Sequence, residues 1–532
     1  MDSRNKQSLL LGALTSSFGI FLSKAIGLLY ASPFSIMASE TNMVFYGNAY
    51  AIYDIILNLC TAGIPFAIAS MIAKYSDKEN YKTILTINRL SRIILLVTGF
   101  ISCIILIMVS FPLSKFILGT TAPIHDVKIQ QITFLFLSIA LATVPMLSGA
   151  RGFFQGFKNM KLYSFSQVFE QFVRVTFLLV VSFVLIYIFK FDRIYAVYMG
   201  ILAASVAAIM TQIYLYKYSS NKLKEIKSLA KKQIIKPIEE KKLFRELLYF
   251  GIPYLLIILL GNSMSIVNSM FFLPIMEHTA INYSQSKLML GIMQFNVTKI
   301  ISIPQVLALG FSAGMVPYLT TAYENNDKKL LKQNILDILE TVSFIALPLT
   351  YCLLVLSKPI YSLMYGNDNI DIGSSILSYS SIVALAGTIS PICTSMLTTL
   401  RQRKKVIIFL LITFIVKFVL FIPFVLYFNY VGAIFSSVVS SLVCIILCLY
   451  TLDKKYKINF KNYYIRLIKM IIGLISMNGV FSLLNIYFNF NLDSKINLIL
   501  LLALYGILGF LGYLLTTACF NIPQRIIKKL IK

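Results

Sequence analysis

Residues 406–428 read VIIFLLITFIVKFVLFIPFVLYF, an apolar stretch with one lysine, Lys417, midway along it. A helix needs about 20 apolar residues to cross the ~30 Å hydrocarbon core of a bilayer, so this stretch predicts a membrane-spanning helix. The whole chain has the same character: 58% of its 532 residues are hydrophobic, only 13% are charged, and the mean hydropathy is +0.80. A soluble globular chain carries about 25% charged residues. The composition therefore indicates a polytopic membrane protein.

Similar apolar stretches recur along the chain, and they are continuous rather than alternating, which excludes a membrane β-barrel. They predict an all-α polytopic membrane protein with 14 transmembrane helices. The predicted spans are 9–29, 44–73, 84–110, 131–154, 164–189, 194–216, 247–275, 288–320, 335–356, 373–398, 406–428, 430–451, 463–488 and 496–520.

The net charge of +27 is concentrated in alternate loops. Cytoplasmic loops carry the excess of Lys and Arg in membrane proteins, so this pattern places both termini in the cytoplasm. It also favours anionic membrane lipids as partners, and nucleic acid is not needed to explain the charge. The longest basic loop divides six spans from eight. The predicted domains are an N-lobe at 1–216, a basic cytoplasmic linker at 217–245, a C-lobe at 246–451, and the last two spans with a cytoplasmic tail at 452–532.

The residues that carry enzymatic chemistry are scarce. The 7 cysteines all fall within apolar stretches and the 2 histidines are isolated, which predicts neither a disulfide framework nor a metal site. There is no phosphate-binding Gly-x-x-x-x-Gly-Lys-Ser/Thr motif. The outer loops are too short for a catalytic domain. We therefore predict a transporter that is not an enzyme and has no cofactor.

The spans contain more cations than acids. When the cations at the cytoplasmic ends of the spans are counted with the loops, the intramembrane cations are Lys24, Arg174, Lys299 and Lys417, and the acids at comparable depth are Asp54 and Glu170. An ionisable group near mid-bilayer costs ~2.5–3.5 kcal/mol on insertion scales, so these side chains are expected to face one another or water. A positive surplus suits an anionic cargo such as a diphosphate, for which Lys and Arg are the common ligands.

Simpler roles remain open for several of these residues. Glu170 and Arg174 are four residues apart on one helical face, which is the spacing of an internal salt bridge. Lys24 lies near a span end and has the length to reach the interface. The polar residues predicted to line the cavity or to take part in ion coupling are Asp54, Glu170, Gln167, Gln171, Asn268 and Asn296. For Asn268, on the seventh span, an interhelical hydrogen bond is the alternative.

Two neighbouring stretches resemble a known family: RGFFQGFKNM at 151–160 and SQVFEQFVRV at 166–175. Weaker matches are GNAYAIY at 47–53, GIPFAIA at 63–69 and IVK at 415–417. Together they resemble the polysaccharide exporters typified by stage V sporulation protein B and the MurJ-type lipid II flippases. The motif residues that carry most of the resemblance are Arg151, Gly152, Gln155 and Gly156.

The resemblance implies two six-helix lobes in a V around a cationic cavity, with the last two helices forming a groove for a polyprenyl tail. It also implies that the four intramembrane cations meet the substrate's diphosphate. The chain departs from the family pattern twice. It reads ASP at 31–33, where relatives usually have an arginine before the proline, and Asn268 stands where an aspartate is usual.

These observations predict a flippase of the bacterial plasma membrane that moves an undecaprenyl-diphosphate-linked sugar, above all the peptidoglycan precursor, by alternating access. Its expected partners are the lipid-linked oligosaccharide and cell-wall synthesis enzymes. Na⁺, H⁺ or the membrane potential could drive it. Two alternatives remain: a drug/cation antiporter of the same fold with an essential acid, and a non-transporting scaffold that binds envelope enzymes through the 217–245 linker.

Overall fold

The computed structural model describes residues 22–530 except 24, 62, 158 and 234–236. Throughout this part of the chain the regular structure is helical. The contacts divide the chain into two compact units, residues 1–294 and 295–532. The helices of the first unit are α1 (Ala31–Ala38), α2 (Met43–Thr61), α3 (Ile64–Ser76), α4 (Tyr81–Leu118), α5 (Ile124–Gly156), α6 (Met160–Phe183), α7 (Ile194–Lys232), α8 (Glu240–Gly261), α9 (Ser263–Met276) and α10 (Tyr283–Gly291).

The second unit begins within a short π-helical segment, Ile292–Val297, that follows α10. Its helices are α11 (Thr298–Glu324), α12 (Lys328–Val355), α13 (Ser357–Tyr365), α14 (Ile370–Thr399), α15 (Arg403–Tyr456), α16 (Lys461–Tyr487), α17 (Lys495–Cys519) and α18 (Ile522–Leu530). The first unit contains α8 to α10, which the sequence assigns to the C-lobe. The lobe boundaries stay a prediction.

The prediction of an all-α polytopic membrane protein is confirmed. Within the described residues, ten helices are long and apolar enough to cross a membrane, or eleven if the bent pair formed by α8 and α9 is one span. Helices overlap each predicted span from the second to the fourteenth. The first predicted span, 9–29, lies mostly outside the described residues, so the count of fourteen stays a prediction.

The second predicted span contains a break at Gly63. This glycine has φ +69°, a left-handed conformation that favours glycine. A side chain at Gly63 would also collide with the backbone of Gly251 on α8. Pro65 then starts α3, because the first turn of a helix does not need its missing N–H. The glycine thus breaks the span and lets two helices approach closely.

The longest helix, α15, is two helices joined at Asn429. This residue has φ 55° and ψ −132°, outside the helical region, and it separates the two predicted spans 406–428 and 430–451. Asparagine tolerates positive φ better than most residues. The break therefore lies between the two spans that hydropathy predicts.

The basic linker 217–245 is largely helical and attached to its own unit. Helix α7 continues to Lys232, and the Gln233 side chain accepts a hydrogen bond from the Lys82 backbone N–H at 3.0 Å and donates one to Asn80 Oδ1 at 3.0 Å. Further along, Lys74 and Tyr75 bind the Glu246 carboxylate. These contacts fasten the linker to the ends of α3 and α4. Its alternative role as a docking segment for envelope enzymes stays a prediction.

The last two long helices pack on α12 through a dense apolar core. Met470, Met477 and Phe481 of α16 and Tyr505 and Tyr513 of α17 are completely or almost completely buried there. The short terminal helix α18 adds two buried isoleucines, at 522 and 526, to this core. The predicted pair of C-terminal helices thus forms a defined layer on the second unit.

Candidate membrane site for an anionic group

The centre of the candidate site in the first unit is one carboxylate shared by two arginines. The Glu170 carboxylate lies 2.7 Å from Arg151 Nη2 and 3.6 Å from Arg174 Nη2. Arg151 also donates to the Ser166 hydroxyl at 3.0 Å and to the Ser166 carbonyl at 2.8 Å. All three charged side chains are at least four-fifths buried. The predicted Glu170–Arg174 pair therefore exists, but with a second cation it leaves a surplus positive charge.

Arg174 keeps unused capacity to bind an anion. Its Nε is buried and has no hydrogen-bond partner among the described residues. Tyr50 and Tyr53 of α2 lie within electrostatic range of its guanidinium. These tyrosines continue an aromatic row, in which the Tyr46 and Tyr50 rings lie 4.5 Å apart and the Tyr50 and Tyr53 rings 5.8 Å apart. A guanidinium beside phenol groups can donate hydrogen bonds to a phosphate oxygen.

The motif glycines next to Arg151 serve close packing. A side chain at Gly152 would meet the backbone of Pro65, and one at Gly156 would meet Ile72. Both contacts lie on α3. The small residues therefore let α5 and α3 approach each other, which is a common use of glycine in membrane helices. Gln155 lies between them and is half-buried. The motif thus combines one site residue, Arg151, with residues that position its helix.

A chain of amides crosses the interior of the first unit, and the sequence reasoning missed it. Asn48 Nδ2 donates to Gln130 Oε1 at 3.4 Å, and Gln294 Nε2 donates to Asn48 Oδ1 at 3.2 Å and to Ser269 Oγ at 2.7 Å. Asn48, Gln130 and Ser269 are completely buried. Asn48 lies within the quoted stretch GNAYAIY, which was the available signal.

Within the described part of the protein, two buried oxygens near this chain of amides have no hydrogen-bond partner. They are Gln294 Oε1 and Oδ1 of the predicted cavity residue Asn268. Unpaired buried polar atoms are rare in folded proteins, and water or a ligand commonly satisfies them. The predicted role of Asn268 as a cavity-lining residue stays a prediction.

The remaining predicted residues of the first unit lie in different places. Lys24 lies outside the described residues. Asp54 is exposed. Gln167 and Gln171 face the end of the first predicted span: Ser23 Oγ donates to the Gln167 carbonyl at 3.5 Å, and Gly27 packs against the Gln171 side chain. Glu170 and Arg174 therefore gather around Arg151, whereas the two glutamines contact a neighbouring helix.

Three predicted site residues belong to the second unit. Asn296 is completely buried and donates to Tyr361 Oη at 3.1 Å, while Tyr365 Oη donates to the Asn296 carbonyl at 3.0 Å. Lys299 is half-buried, with Nζ 5.6 Å from the centre of the Phe295 ring. Asn296 therefore forms hydrogen bonds between helices in this structure, and its predicted role as a cavity residue stays a prediction.

Lys417 is completely buried. Its ammonium donates to the Ala433 carbonyl at 2.9 Å, to Ser436 Oγ at 2.9 Å and to Ser437 Oγ at 2.8 Å, which uses all three N–H groups. It also lies 4.6 Å from the centre of the Phe421 ring. A diphosphate would have to displace these acceptors. The assignment of Lys417 as a substrate ligand stays a prediction, and the structure gives it a role in joining the two halves of α15.

The sequence reasoning also missed a buried ion pair between α5 and α10. Lys287 Nζ lies 2.7 Å from Asp126 Oδ2, and Tyr283 Oη donates to the same oxygen at 3.1 Å. Both charged side chains are only 11% exposed. Hydropathy placed the starts of two predicted spans at 131 and 288, because the polar residues before these positions lower the local hydropathy. The pair therefore fell in predicted loops.

A second contact joins the same region of the first unit. The Glu277 carboxylate accepts hydrogen bonds from the Thr121 backbone N–H at 2.7 Å and from the Thr121 and Thr120 hydroxyls at 3.0 Å each. Burial alone would raise the pKa of Glu277, but these hydrogen bonds outweigh it and the pKa lies below its ordinary value. Among the described residues, no group of three His, Cys, Asp or Glu side chains could hold a metal ion.

Comparison with known proteins gives matches along most of the chain. The sequence model of the polysaccharide biosynthesis protein family matches residues 9–323, and the MatE model matches residues 263–426. The chain is 29% identical to the lipid II flippase MurJ of Bacillus subtilis (strain 168) over 439 residues, which are 81% of this chain and 79% of MurJ. It is 24% identical to stage V sporulation protein B of the same organism over 343 residues, 61% of this chain and 60% of that protein.

Solved structures share the fold. A lipid II flippase MurJ in an inward closed conformation matches with a TM-score of 0.67 at 15% identity, covering 98% of this chain and all of that one. An inward-facing MATE-family multidrug resistance transporter matches with a TM-score of 0.62 at 12% identity, covering 83% of this chain and 98% of that one. At these identities the likeness concerns the fold alone.

Proposed function

Because the chain belongs to the polysaccharide biosynthesis protein family, we propose that it is a flippase for an undecaprenyl-diphosphate-linked sugar, above all lipid II. It acts in a bacterial plasma membrane with both termini in the cytoplasm, and it carries the headgroup from the inner to the outer leaflet by alternating access. The similarity to MurJ over 81% of the chain supports this cargo.

The observation that carries the proposal is the surplus cation at Glu170. Two arginines share one carboxylate, and no described residue pairs with the buried Arg174 Nε. An internal ion pair needs only one arginine, whereas a diphosphate gains from a second cation with free donors. The surplus positive charge therefore favours an anionic cargo over a cationic one. Lys24, Lys299 and Lys417 remain proposed as further ligands.

The drive follows from the charge of the cargo. A membrane potential that is positive outside favours outward movement of an anion by ~2.3 kcal/mol per charge per 100 mV. No cofactor is required in this scheme. A coupled Na⁺ or H⁺ is the other proposed source of drive, and collapsing each gradient separately during a flipping assay distinguishes them.

The function is tested by complementation of a strain depleted of its own lipid II flippase, with lipid II exposure at the outer leaflet as the readout. We expect the parent chain to restore growth and exposure. Arg174→Gln should reduce exposure about tenfold, because it removes a charge-assisted contact of ~1.5 kcal/mol or more. The matched control is Arg193→Gln, which changes an exposed arginine at the start of α7. Full activity of a folded Arg174→Gln variant would contradict the proposed site.

A drug/cation antiporter is the second candidate, because the MatE model matches residues 263–426. Such a transporter needs an essential acid in the membrane, for which Asp54 and Glu170 are the predicted candidates; Glu170 is paired with two arginines and Asp54 is exposed. The test is ethidium efflux by cells that express the parent chain or Asp54→Asn. Efflux that depends on Asp54, with no rescue of the depleted strain, would replace the flippase proposal.

A further inference from the structure

The first unit contains a cavity that the proposed flippase site does not use. It lies among α3, α4, α5 and α7 and has a volume of about 170 Å³. Its polar lining comes from two helices, α4 and α7, and consists of Asn88, Ser91, Arg92, Gln212, Tyr216 and Ser219. The rest of the lining is apolar and includes Leu95 and Met146. The cavity is therefore a pocket with one cation and several neutral hydrogen-bonding groups.

The chemistry of this lining suits a phosphate. Arg92 is exposed, and its Nη2 donates a long hydrogen bond of 3.4 Å to the Ser219 hydroxyl. No carboxylate lines the cavity. Gln212 Oε1 is buried and accepts no hydrogen bond from the residues that the structure describes, and an amide can rotate to present its NH₂ group instead. One guanidinium with neighbouring neutral donors is the ligand set that a phosphate group takes.

The depth of the cavity matches the headgroup layer of a bilayer. Arg92 lies 26 residues from the far end of α4 at Leu118, which is about 39 Å along a helix. Ser219 lies 25 residues from the start of α7 at Ile194, about 38 Å. The hydrocarbon core is only ~30 Å thick, within ~40–45 Å for the whole bilayer. Ser219 therefore lies beyond the predicted span 194–216, at the end that the loop charges predict to be cytoplasmic, and Arg92 lies beside it in the cytoplasmic third of the predicted span 84–110.

Apolar side chains next to the cavity face outward. Ile93 and Leu96 of α4 are 53% and 52% exposed, and Ile213 and Tyr216 of α7 are 63% and 65% exposed. Such a surface is suited to acyl chains, whereas a free anion would have no use for it. We propose that this cavity binds the phosphodiester headgroup of an anionic phospholipid of the inner leaflet, with Arg92 as its charged ligand and its acyl chains on the adjoining faces of α4 and α7.

The test uses the purified full-length protein in phosphatidylcholine nanodiscs, with and without phosphatidylglycerol, and measures the thermal midpoint and the lipid retained in native mass spectrometry. Inorganic phosphate and undecaprenyl diphosphate are added in separate arms. We expect phosphatidylglycerol to raise the midpoint and to be retained, and inorganic phosphate to have no effect. An equal effect of inorganic phosphate would overturn the proposal that the bound phosphate belongs to a phospholipid. Protection by undecaprenyl diphosphate alone would assign the cavity to the transported substrate and overturn the proposal.

Variants locate the effect. Arg92→Gln should weaken phosphatidylglycerol binding about tenfold, while Lys224→Gln, which changes an exposed lysine further along α7, should leave it unchanged. Gln212→Leu is a second cavity variant that should remain folded. It removes a buried oxygen that pairs with no described residue, so we expect the thermal midpoint of the lipid-free protein to be equal or higher. We expect this variant to lose the phosphatidylglycerol effect as well. An unchanged lipid effect in Arg92→Gln or in folded Gln212→Leu contradicts the proposal.

Discussion

Glu170 and Glu340 each face two arginines. Glu170 lies between Arg151 and Arg174, and Glu340, almost completely buried, lies 3.1 Å from Arg466 and 3.7 Å from Arg525. A carboxylate in a membrane helix is costly unless cations and hydrogen bonds compensate it. The two clusters differ in exposure: Arg525 is 46% exposed, whereas Arg174 is 19% exposed. Only the cluster at Glu170 holds its surplus charge in the interior.

Glu170→Gln should destabilise the protein by about 3 kcal/mol, because it leaves two largely buried arginines without their shared anion. The double variant Arg151→Gln/Glu170→Gln removes one cation as well and should be less destabilised than the sum of the two single variants. The measurement is a double-mutant cycle of detergent unfolding free energies. Strict additivity of the two substitutions would contradict the ion pair.

Glu277 should make the stability of the protein depend on pH in the acidic range. It lies just beyond the end of α9, and its pKa is lowered by hydrogen bonds from Thr121 and Thr120 that outweigh the effect of burial. The unfolded chain therefore binds the proton first as the pH falls. The stabilisation is full above the ordinary carboxyl pKa of about 4.3 and is lost as the pH falls through the lower folded-state value.

The corresponding experiment compares the thermal midpoints of the parent and Glu277→Gln between pH 7 and pH 3. We expect the parent to be more stable at pH 7 and the difference to shrink at the acidic end. The matched control is Asp368→Asn, which changes an exposed acid in the loop before α14. A midpoint difference that stays constant across this range would show that Glu277 does not keep a lowered pKa.

At the residue scale, sequence reasoning found pairs that are close in the chain. Glu170 and Arg174 follow from helical spacing, whereas Arg151 meets Glu170 only because α5 and α6 pack together. The chain Gln130–Asn48–Gln294 joins residues far apart in sequence. Nothing in local spacing identifies such contacts. The number of cations in the spans could be compared with the number of acids from the sequence alone. The partner of each cation depended on helix packing.

At the scale of elements, hydropathy located the spans but not their ends. Helix α4 begins at Tyr81 and α7 ends at Lys232, although the apolar stretches are 84–110 and 194–216. Helices continue past the hydrocarbon core because polar residues such as Lys and Glu are good helix formers. The buried pair Asp126–Lys287 was missed for this reason. The break at Gly63 lies inside one predicted span, 44–73, at the start of the quoted stretch GIPFAIA. The contact of Gly63 with Gly251 could not be found from the sequence.

Lys417 has two candidate roles in α15: it binds the substrate diphosphate, or it joins the two halves of the helix. Lys417→Met keeps the length of the side chain, and Ser436 and Ser437 still donate to the Ala433 carbonyl at 2.9 Å and 3.1 Å. We expect the variant to fold with unchanged or higher stability, because replacing a buried charge by an apolar group of similar volume is often neutral or favourable. Unfolding curves check this first.

Flipping by the folded Lys417→Met variant then separates the roles. Loss of lipid II exposure would support the predicted diphosphate ligand. Unchanged exposure would contradict that prediction and leave Lys417 as a residue that joins the two halves of α15. Ser440→Ala is the matched control, because Ser440 is buried in the same half of α15 and donates a hydrogen bond to the Ser437 carbonyl at 3.0 Å.

At the scale of the whole molecule, the contacts between α5 and α10 bear on the proposed transport cycle. Asp126 binds both Lys287 and Tyr283, and Glu277 binds the turn before α5. The sequence assigns α5 to the N-lobe and α10 to the C-lobe, so these bonds join helices of different predicted lobes. If the proposed alternating access separates these lobes at the outer surface, these bonds must break.

Locking this contact should therefore stop transport. We expect Asp126→Cys/Lys287→Cys, in a chain whose exposed Cys519 is replaced by serine, to lose lipid II exposure when a short bifunctional thiol reagent joins the two cysteines. A cleavable reagent should restore exposure after reduction, which distinguishes locking from damage. The single cysteine variants treated in the same way are the controls. Undiminished exposure in a fully cross-linked sample would show that α5 and α10 stay together throughout the cycle, because a covalent bond between them would then cost the transporter nothing.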